Sequence, residues 1–398
     1  MKKIILLLLL LSVMLSACSM ETQIPESTVK NAGITVEDEV VKSVWFTYYE
    51  LSPMMKNKDE SKCKKAIDAA FKKVKDMGFN TVTVQVRPFA DALYDSNYFP
   101  SSEYAVNKQG DALDFDPLSI MCEMARKHSL RIEAWVNPYR IRNDNDIEKL
   151  SSHHIAKVWY QNKKTKTRIY RTKKGIYFNP ASDEVTKLIV NGVKEIVSNY
   201  AVDAVHMDDY FYPTTDKEID ALEYEKEKDK LSLGDFRRNK VSNMIKSVYT
   251  AVKSVNSAVK FGISPASDIR KDTEELYADV GLWVRDEGYC DYICPQVYFG
   301  FRNVNQPFMF TVKKWVGMTN CDLYVGLPLY KAGRADKYAA QNDKSIINEF
   351  KNHDNIIARQ ITYLSKLDEV KGFYIFSYSS LSDEKCQKEV ENILKVMR

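Results

Sequence analysis

The stretch Asp203-Ala204-Val205-His206-Met207-Asp208-Asp209-Tyr210-Phe211-Tyr212-Pro213 changes character abruptly in its middle. Residues 204–207 are apolar apart from one His, as a strand buried in a sheet requires. Two acids follow at once, then a run of aromatic residues closed by Pro213. Carboxylates are costly to desolvate, so the acids mark where the strand emerges from the core. Side chains alternate along a strand, so His206 and Asp208 share a face. For the same reason Asp208 and Asp209 cannot both aim straight along it.

Working outward, the same unit recurs. Strand-like runs are expected at residues 44–49, 81–86, 130–136, 204–207, 260–264, 292–297, 323–327 and 373–376. Amphipathic helical stripes lie between them. Cys63, Ile67, Ala70, Phe71, Val74 and Met77 form one such stripe, stopped by Gly78; Val185, Leu188, Ile189, Val193 and Ile196 form another. Asp116-Pro117 supplies an N-cap followed by proline at the first helical position. The helix after the fifth strand, within 273–284, is the least distinct. Strands alternating with helices imply parallel crossovers. Eight such units predict a single-domain (β/α)8 TIM barrel over 41–398, in place of an open doubly wound sheet. The glycine-rich phosphate turn of an open nucleotide-binding sheet is missing after the first strand.

The N-terminus reads as an export signal. Lys2 and Lys3 precede an unbroken aliphatic run, Ile4 to Leu11, and Leu15-Ser16-Ala17-Cys18 closes it like a bacterial lipobox. Residues 1–18 are thus expected to be a lipoprotein signal with Cys18 as the acylated residue, and 19–40 a flexible tether. The apolar run falls short of the about 20 residues of a membrane span. This places the protein on a membrane through its lipid anchor, facing away from the cytoplasm. The six later cysteines show no paired spacing and read as small buried hydrophobes. No metal or cofactor is signalled. The formal charge of +4 falls to +2 without Lys2 and Lys3. The basic run 163–174 reads as a solvated loop, since no nucleic-acid motif accompanies it. The chain is expected to be a monomer.

In such a barrel the active site forms at the carboxyl ends of the strands. Those ends are polar and aromatic here: Tyr48-Tyr49-Glu50, Arg87-Pro88, Asn137-Pro138-Tyr139-Arg140, Asp208-Asp209-Tyr210, Ser264-Pro265 with Asp268 and Arg270, Gln296-Val297-Tyr298, and Ser377-Tyr378. Aromatic rings stack on the C–H faces of sugars, and acids, amides and Arg bind their hydroxyls. Glycosidic cleavage needs one protonated and one ionised carboxyl. Asp208 is read as nucleophile or transition-state stabiliser, with His206 beneath it and Asp209 orienting it or serving as the second acid. Asp268 is the favoured proton donor, with Glu133, Glu50 and Asp291 as other acids near strand ends. Arg87, Asn137, Tyr139, His206, Tyr210, Gln296 and Tyr298 are candidate substrate contacts. Arg87 and Arg140 could equally be structural ion pairs. Trp45 and Trp135 read as core, and Asp291 as a residue of the barrel bottom.

These motifs, in this order, resemble the glycosyl-hydrolase-like family 10 bacterial lipoproteins. The resemblance runs from about Val41 to the C-terminus and is carried by Val84-Gln85-Val86-Arg87-Pro88, Ala134-Trp135-Val136-Asn137-Pro138-Tyr139-Arg140, the stretch from Asp203 to Pro213, and Cys294-Pro295-Gln296-Val297-Tyr298. It implies a glycoside hydrolase on a (β/α)8 barrel, acting on a cell-envelope polysaccharide. Some relatives are associated with cutting peptidoglycan glycan strands that lack peptides. Asp208 also stands in a place similar to the strand-four nucleophile of the α-amylase superfamily. Glu133 departs from the pattern, standing where relatives usually carry His, and no Glu stands at the end of the fifth strand. A non-catalytic glycan-binding lipoprotein and a lipid-anchored scaffold are the alternatives.

Overall fold

The structure is a computed structural model and describes residues 39–398; the expected signal, Cys18 and nearly all of the tether lie outside the described residues. Strands β1 (Val41–Phe46), β2 (Thr81–Arg87) and β3 (Arg131–Val136) come first. Next are β4 (Arg140–Arg142), β5 (Ile169–Thr172) and β6 (Gly175–Phe178), then β7 (Ala204–Met207), β8 (Lys260–Ile263), β9 (Tyr292–Ile293), β10 (Asp322–Leu327) and β11 (Val370–Ile375). Eight of them close on themselves in the order β1-β11-β10-β9-β8-β7-β3-β2. Every neighbouring pair is parallel. The (β/α)8 barrel expected from the alternation of strands and helices is the fold observed.

The helices start where side chains can satisfy their first amides. Asp59 accepts from the Lys62 amide, and Asp116 from those of Leu118 and Ser119 ahead of the helix Pro117–Lys127. Ser182 and Ser232 cap the two long helices Asp183–Asn199 and Leu233–Val255. Their apolar stripes pack against the outward faces of the strands, so the main core lies between barrel and helices.

Three departures from the sequence reading bear on the site. First, β1 ends at Phe46, and Tyr48–Met55 is helical. Thr47 and Glu50 form a capping box, and Glu50 also accepts from the Ser377 hydroxyl (2.7 Å) and the Ser379 amide (2.6 Å). Glu50 therefore bolts the top of β1 to the top of β11 across the seam between the first and last strands. Second, the long connection after β3 carries a three-stranded antiparallel sheet, β4-β6-β5, so part of the basic run 163–174 is a hairpin and not a loop. Third, β9 has only two residues, because Pro295 cannot donate to the ladder; single bridges at Gln296 carry the pairing to Ala266 and Gly326.

The barrel lumen is filled by every second residue of its strands. Trp45, Trp135, Ala204, Tyr292, Cys294, Tyr324 and Tyr374 form a separate cluster there. Large rings need small neighbours to fit. A Cβ on Gly262 would fall 1.9 Å from the Tyr292 ring, and one on Gly326 would meet the Trp45 ring at 2.9 Å. Replacing Gly262 with Ala is expected to destabilise the fold by about 1–3 kcal/mol through overpacking. Urea unfolding would read this, and Tyr292→Leu in the same chain should restore part of the loss. A Gly262→Ala variant as stable as the parent would contradict the packing described.

Candidate active site

The lumen below the acid pair is polar in a specific way. Trp45 Nε1 donates to His206 Nε2 at 3.3 Å. Indole is a donor only, so this His nitrogen must be the acceptor. Complete burial pushes the His206 pKa down to about 3, so the ring is neutral, with its proton on Nδ1 and directed at the Tyr292 hydroxyl, 2.9 Å away. Glu133 sits beside it and accepts from Thr83 Oγ1 and the Tyr374 hydroxyl, each at 2.7 Å. The Thr83 proton being spent, Ser43 donates to Thr83 at 2.8 Å. Burial raises the Glu133 pKa, and the hydroxyl donors oppose that rise. Its partners are hydroxyls, not the Arg that an ion pair would require.

Above this layer stands Asp208, 3% exposed. Trp135 Nε1 donates to its Oδ2 at 3.1 Å and the Tyr210 amide to its Oδ1 at 3.3 Å. Trp135 and Trp45 do lie in the lumen, but they act there as donors as well as packing. Burial, followed by the neighbouring Asp209 charge, pushes the Asp208 pKa up to about 8. Asp209 is also raised by burial, against the opposing pull of Lys271 and Gln296. Gln296 Nε2 donates to Asp209 Oδ1 at 3.2 Å while holding the Ser264 carbonyl at 3.0 Å. With the strand ended at Met207, Asp209 turns toward the tops of β8 and β9 while Asp208 faces Trp135. One acid is thus buried and disposed to keep a proton; the other is more open and better placed to ionise.

The loop bearing the pair is fixed by a buried ion pair. Arg237 grips Asp220 with two bonds of 2.7 and 2.8 Å, and the Tyr212 hydroxyl donates to the same carboxylate. Aromatic residues flank the mouth. On one side Tyr298, Tyr330 and Phe376 lie with ring centroids 5.8–6.1 Å apart. On the other, Tyr210 is 44% exposed, and Arg140 lies between it and Phe89, which touches Tyr48.

Several expected site residues are placed differently. Asp268 spends one oxygen capping the helix Ile269–Glu274, through the Arg270 and Lys271 amides, and makes no contact with the acid pair. Arg87 is buried on the outer side of the barrel with its guanidinium 4.5 Å over Phe99, so it is neither clamp nor ion pair. The Tyr139 side chain is wholly buried and its hydroxyl has no partner among the described residues. Asn137 is buried too, but its Oδ1 accepts from Gln85, whose own Oε1 accepts from the Tyr48 amide, so it supports the rim from beneath. Glu50 is the seam bolt described above. Asp291, at the barrel bottom as expected, accepts from the Phe261 amide and pairs with Lys253. An open cavity of about 490 Å³ at that lower end, lined by Lys260, Asp291 and Asp322, is remote from the acids. Among the described residues no group of His, Cys, Asp or Glu is arranged to hold a metal.

One acid went unnoticed in the sequence. Asp272 is wholly buried, with no side-chain hydrogen-bond partner among the described residues and only the Ala266 backbone amide turned toward its carboxyl. Burial first and the Asp209 charge second push its pKa up to about 9. Such a group binds its proton more tightly folded than unfolded, so it weakens the fold as pH rises from the usual carboxylate range toward 9. Asp272→Asn is therefore expected to flatten the decline of Tm between pH 5 and 9 in a thermal melt series. An unchanged decline would contradict a buried, protonated Asp272.

Comparison with known proteins agrees with this architecture. The profile described as Glycosyl hydrolase-like 10 matches residues 40–344. The chain is 34% identical over 334 residues to glycosyl hydrolase YngK of Bacillus subtilis, a match covering 78% of this chain and 62% of that one. It is 32% identical over 287 residues to glycosyl hydrolase DigH of Escherichia coli K12, covering 66% and 64%. It thus spans somewhat under two thirds of the length of these two relatives. Among solved structures, the PgaB (BpsB) glycoside hydrolase domain from Bordetella bronchiseptica superposes with a TM-score of 0.58 at 9% identity, covering 90% of this chain and 99% of that one. Alpha-L-fucosidase isoenzyme 2 from Paenibacillus thiaminolyticus does so at 0.53 and 12%, covering 90% and 49%. These two likenesses speak to the barrel alone. By the extent of the profile match and the identity to its relatives, the chain belongs to the glycosyl hydrolase-like 10 family.

Proposed function

We propose that the protein is a glycoside hydrolase of a cell-envelope polysaccharide, with peptidoglycan glycan strands as the foremost substrate, and that Asp208 and Asp209 carry the chemistry. The observation that carries this reading is the asymmetry of the pair: one carboxyl is buried on an indole N–H, the other is slightly more exposed and lies beside Gln296 and Lys271. From sequence alone Asp208 reads as nucleophile or transition-state stabiliser. Its burial suits it better to the opposite role, the acid that arrives protonated.

In the proposed reaction the glycosidic C–O bond breaks with its electron pair going to the leaving oxygen, which takes the Asp208 proton. Ionised Asp209 stabilises the positive charge at the anomeric carbon or withdraws a proton from the attacking water. Water supplies the hydroxyl of the new reducing end, and its remaining proton restores the acid. Tyr298, Tyr330 and Phe376 offer faces for a sugar ring. The basic start, aliphatic run and Cys18 support an envelope location by lipid anchoring. YngK and DigH are themselves named glycosyl hydrolases, which supports the activity.

The near-complete burial of Asp208 favours a second reading, a barrel that binds glycan without cutting it. That reading expects saturable binding and no products. The hydrolase reading expects new reducing ends from sacculi stripped of their peptides by an amidase. Asp208→Asn should slow their release by about a hundred- to ten-thousandfold with an unchanged circular dichroism spectrum. The acid must hold its proton, so kcat/KM should fall as pH rises through about 8. Full activity in Asp208→Asn would remove the proposed acid.

A further inference from the structure

Arg140 begins β4 at the mouth of the barrel, with its backbone paired to Tyr177. Its guanidinium carbon lies 4.6 Å from the Phe89 ring centre and 4.8 Å from that of Tyr210. Two residues along the strand, Arg142 is engaged by Asp144 at 2.9 Å and by Glu103 at 3.6 Å. The Arg140 side chain, by contrast, makes no ion pair or hydrogen bond with any described residue. Its charge nevertheless reaches both Asp208 and Asp209. The two rings flank the guanidinium and limit how it can swing. Its N–H groups, taken up by no described residue, remain for a ligand, and along an edge of the guanidinium two of them project in parallel. That edge matches a carboxylate with two parallel bonds.

We propose that Arg140 receives a carboxylate carried on a sugar of the substrate, so that the polysaccharide is anionic next to the bond that is cut. An anionic glycan approaching ionised Asp209 is repelled unless a cation meets its charge. One guanidinium neutralises one carboxylate, whereas a phosphate monoester would leave net negative charge beside the acids. A ring uronate and a lactyl ether on an amino sugar both present the required group. The proposal rests on the hydrolase reading for where the bond lies, but the recognition itself can be measured without turnover.

The test uses calorimetric binding to the Asp208→Asn protein, alongside kcat/KM for the unmodified chain. One ligand pair is an N-acetylglucosamine–N-acetylmuramic acid oligosaccharide with its lactyl carboxyl free or converted to the carboxamide. The second pair is a glucuronate-containing oligosaccharide and its carboxamide. A sulfated N-acetylglucosamine oligosaccharide serves as a tetrahedral anion. The free acid of at least one pair should bind about ten- to hundredfold tighter than its carboxamide and tighter than the sulfated sugar, as a charged bidentate contact implies. The pair that shows the preference identifies the source of the carboxylate. Arg140→Met should abolish the preference, and Arg140→Lys, which keeps the charge but not the fork, should reduce it. Equal affinity within both pairs, a preference that survives Arg140→Met, or an equally tight sulfated sugar would overturn the proposal, as would no binding to any of these ligands. Discrimination without cleavage would sink the hydrolase reading alone; cleavage without discrimination would sink this one alone.

Discussion

The contact between the Trp135 indole N–H and Asp208 is the point on which the upper half of the barrel depends. It lets a carboxyl group sit almost out of water without a cationic partner, at the top of a strand whose next inward residue is a neutral His. Two neutral N–H donors, this indole and the Tyr210 amide, do not repay the full desolvation of a carboxylate. The group therefore holds its proton, and the charge of the pair moves to Asp209, where Gln296 and Lys271 can meet it. The division of labour between two chemically identical neighbours follows from where the strand stops.

The layers beneath serve that arrangement. Trp45 fixes the His206 tautomer, Tyr292 takes the proton on the other nitrogen, and the hydroxyls of Thr83 and Tyr374 hold Glu133. This is a hydrogen-bonded column built without an internal salt bridge, and it fits because Gly262 and Gly326 leave room for Tyr292 and Trp45. Around the mouth, the Arg237–Asp220 pair and the Glu50 seam bolt fix the loops from which the aromatic flanks project. Breaking a buried pair of that kind costs about 3–5 kcal/mol, so the loop carrying the acids is anchored at Asp220.

Much of this was legible in the sequence, for identifiable reasons. The run 204–207 is bounded by charge on both sides, and β7 has those residues. Proline and Asp marked the start of Pro117–Lys127, which was equally legible. The end of β1 was misread because Tyr48 and Tyr49 favour strands, although Thr47-x-x-Glu50 already carried a capping-box signature. Sheet β4-β6-β5 was missed because three- and four-residue strands leave too short a period to register. Among the acids, Asp208 and Asp209 were found from the polarity break after an apolar strand. Asp268 was overvalued because an N-cap aspartate looks, in sequence, like any other acid at a strand end. Asp272 was overlooked because its helix was expected to begin later, at 273, which left no reason to suspect a carboxyl turned inward.

The account comes down to which of two adjacent aspartates keeps its proton at neutral pH. Carbon-13 NMR of the protein labelled at aspartate carboxyls, titrated from pH 4 to 10 beside the Asp208→Asn form, reads that directly. One carboxyl resonance should titrate near 8 and be missing from the variant. A spectrum in which the Asp208 resonance has already reached its ionised position by pH 5 would contradict the account.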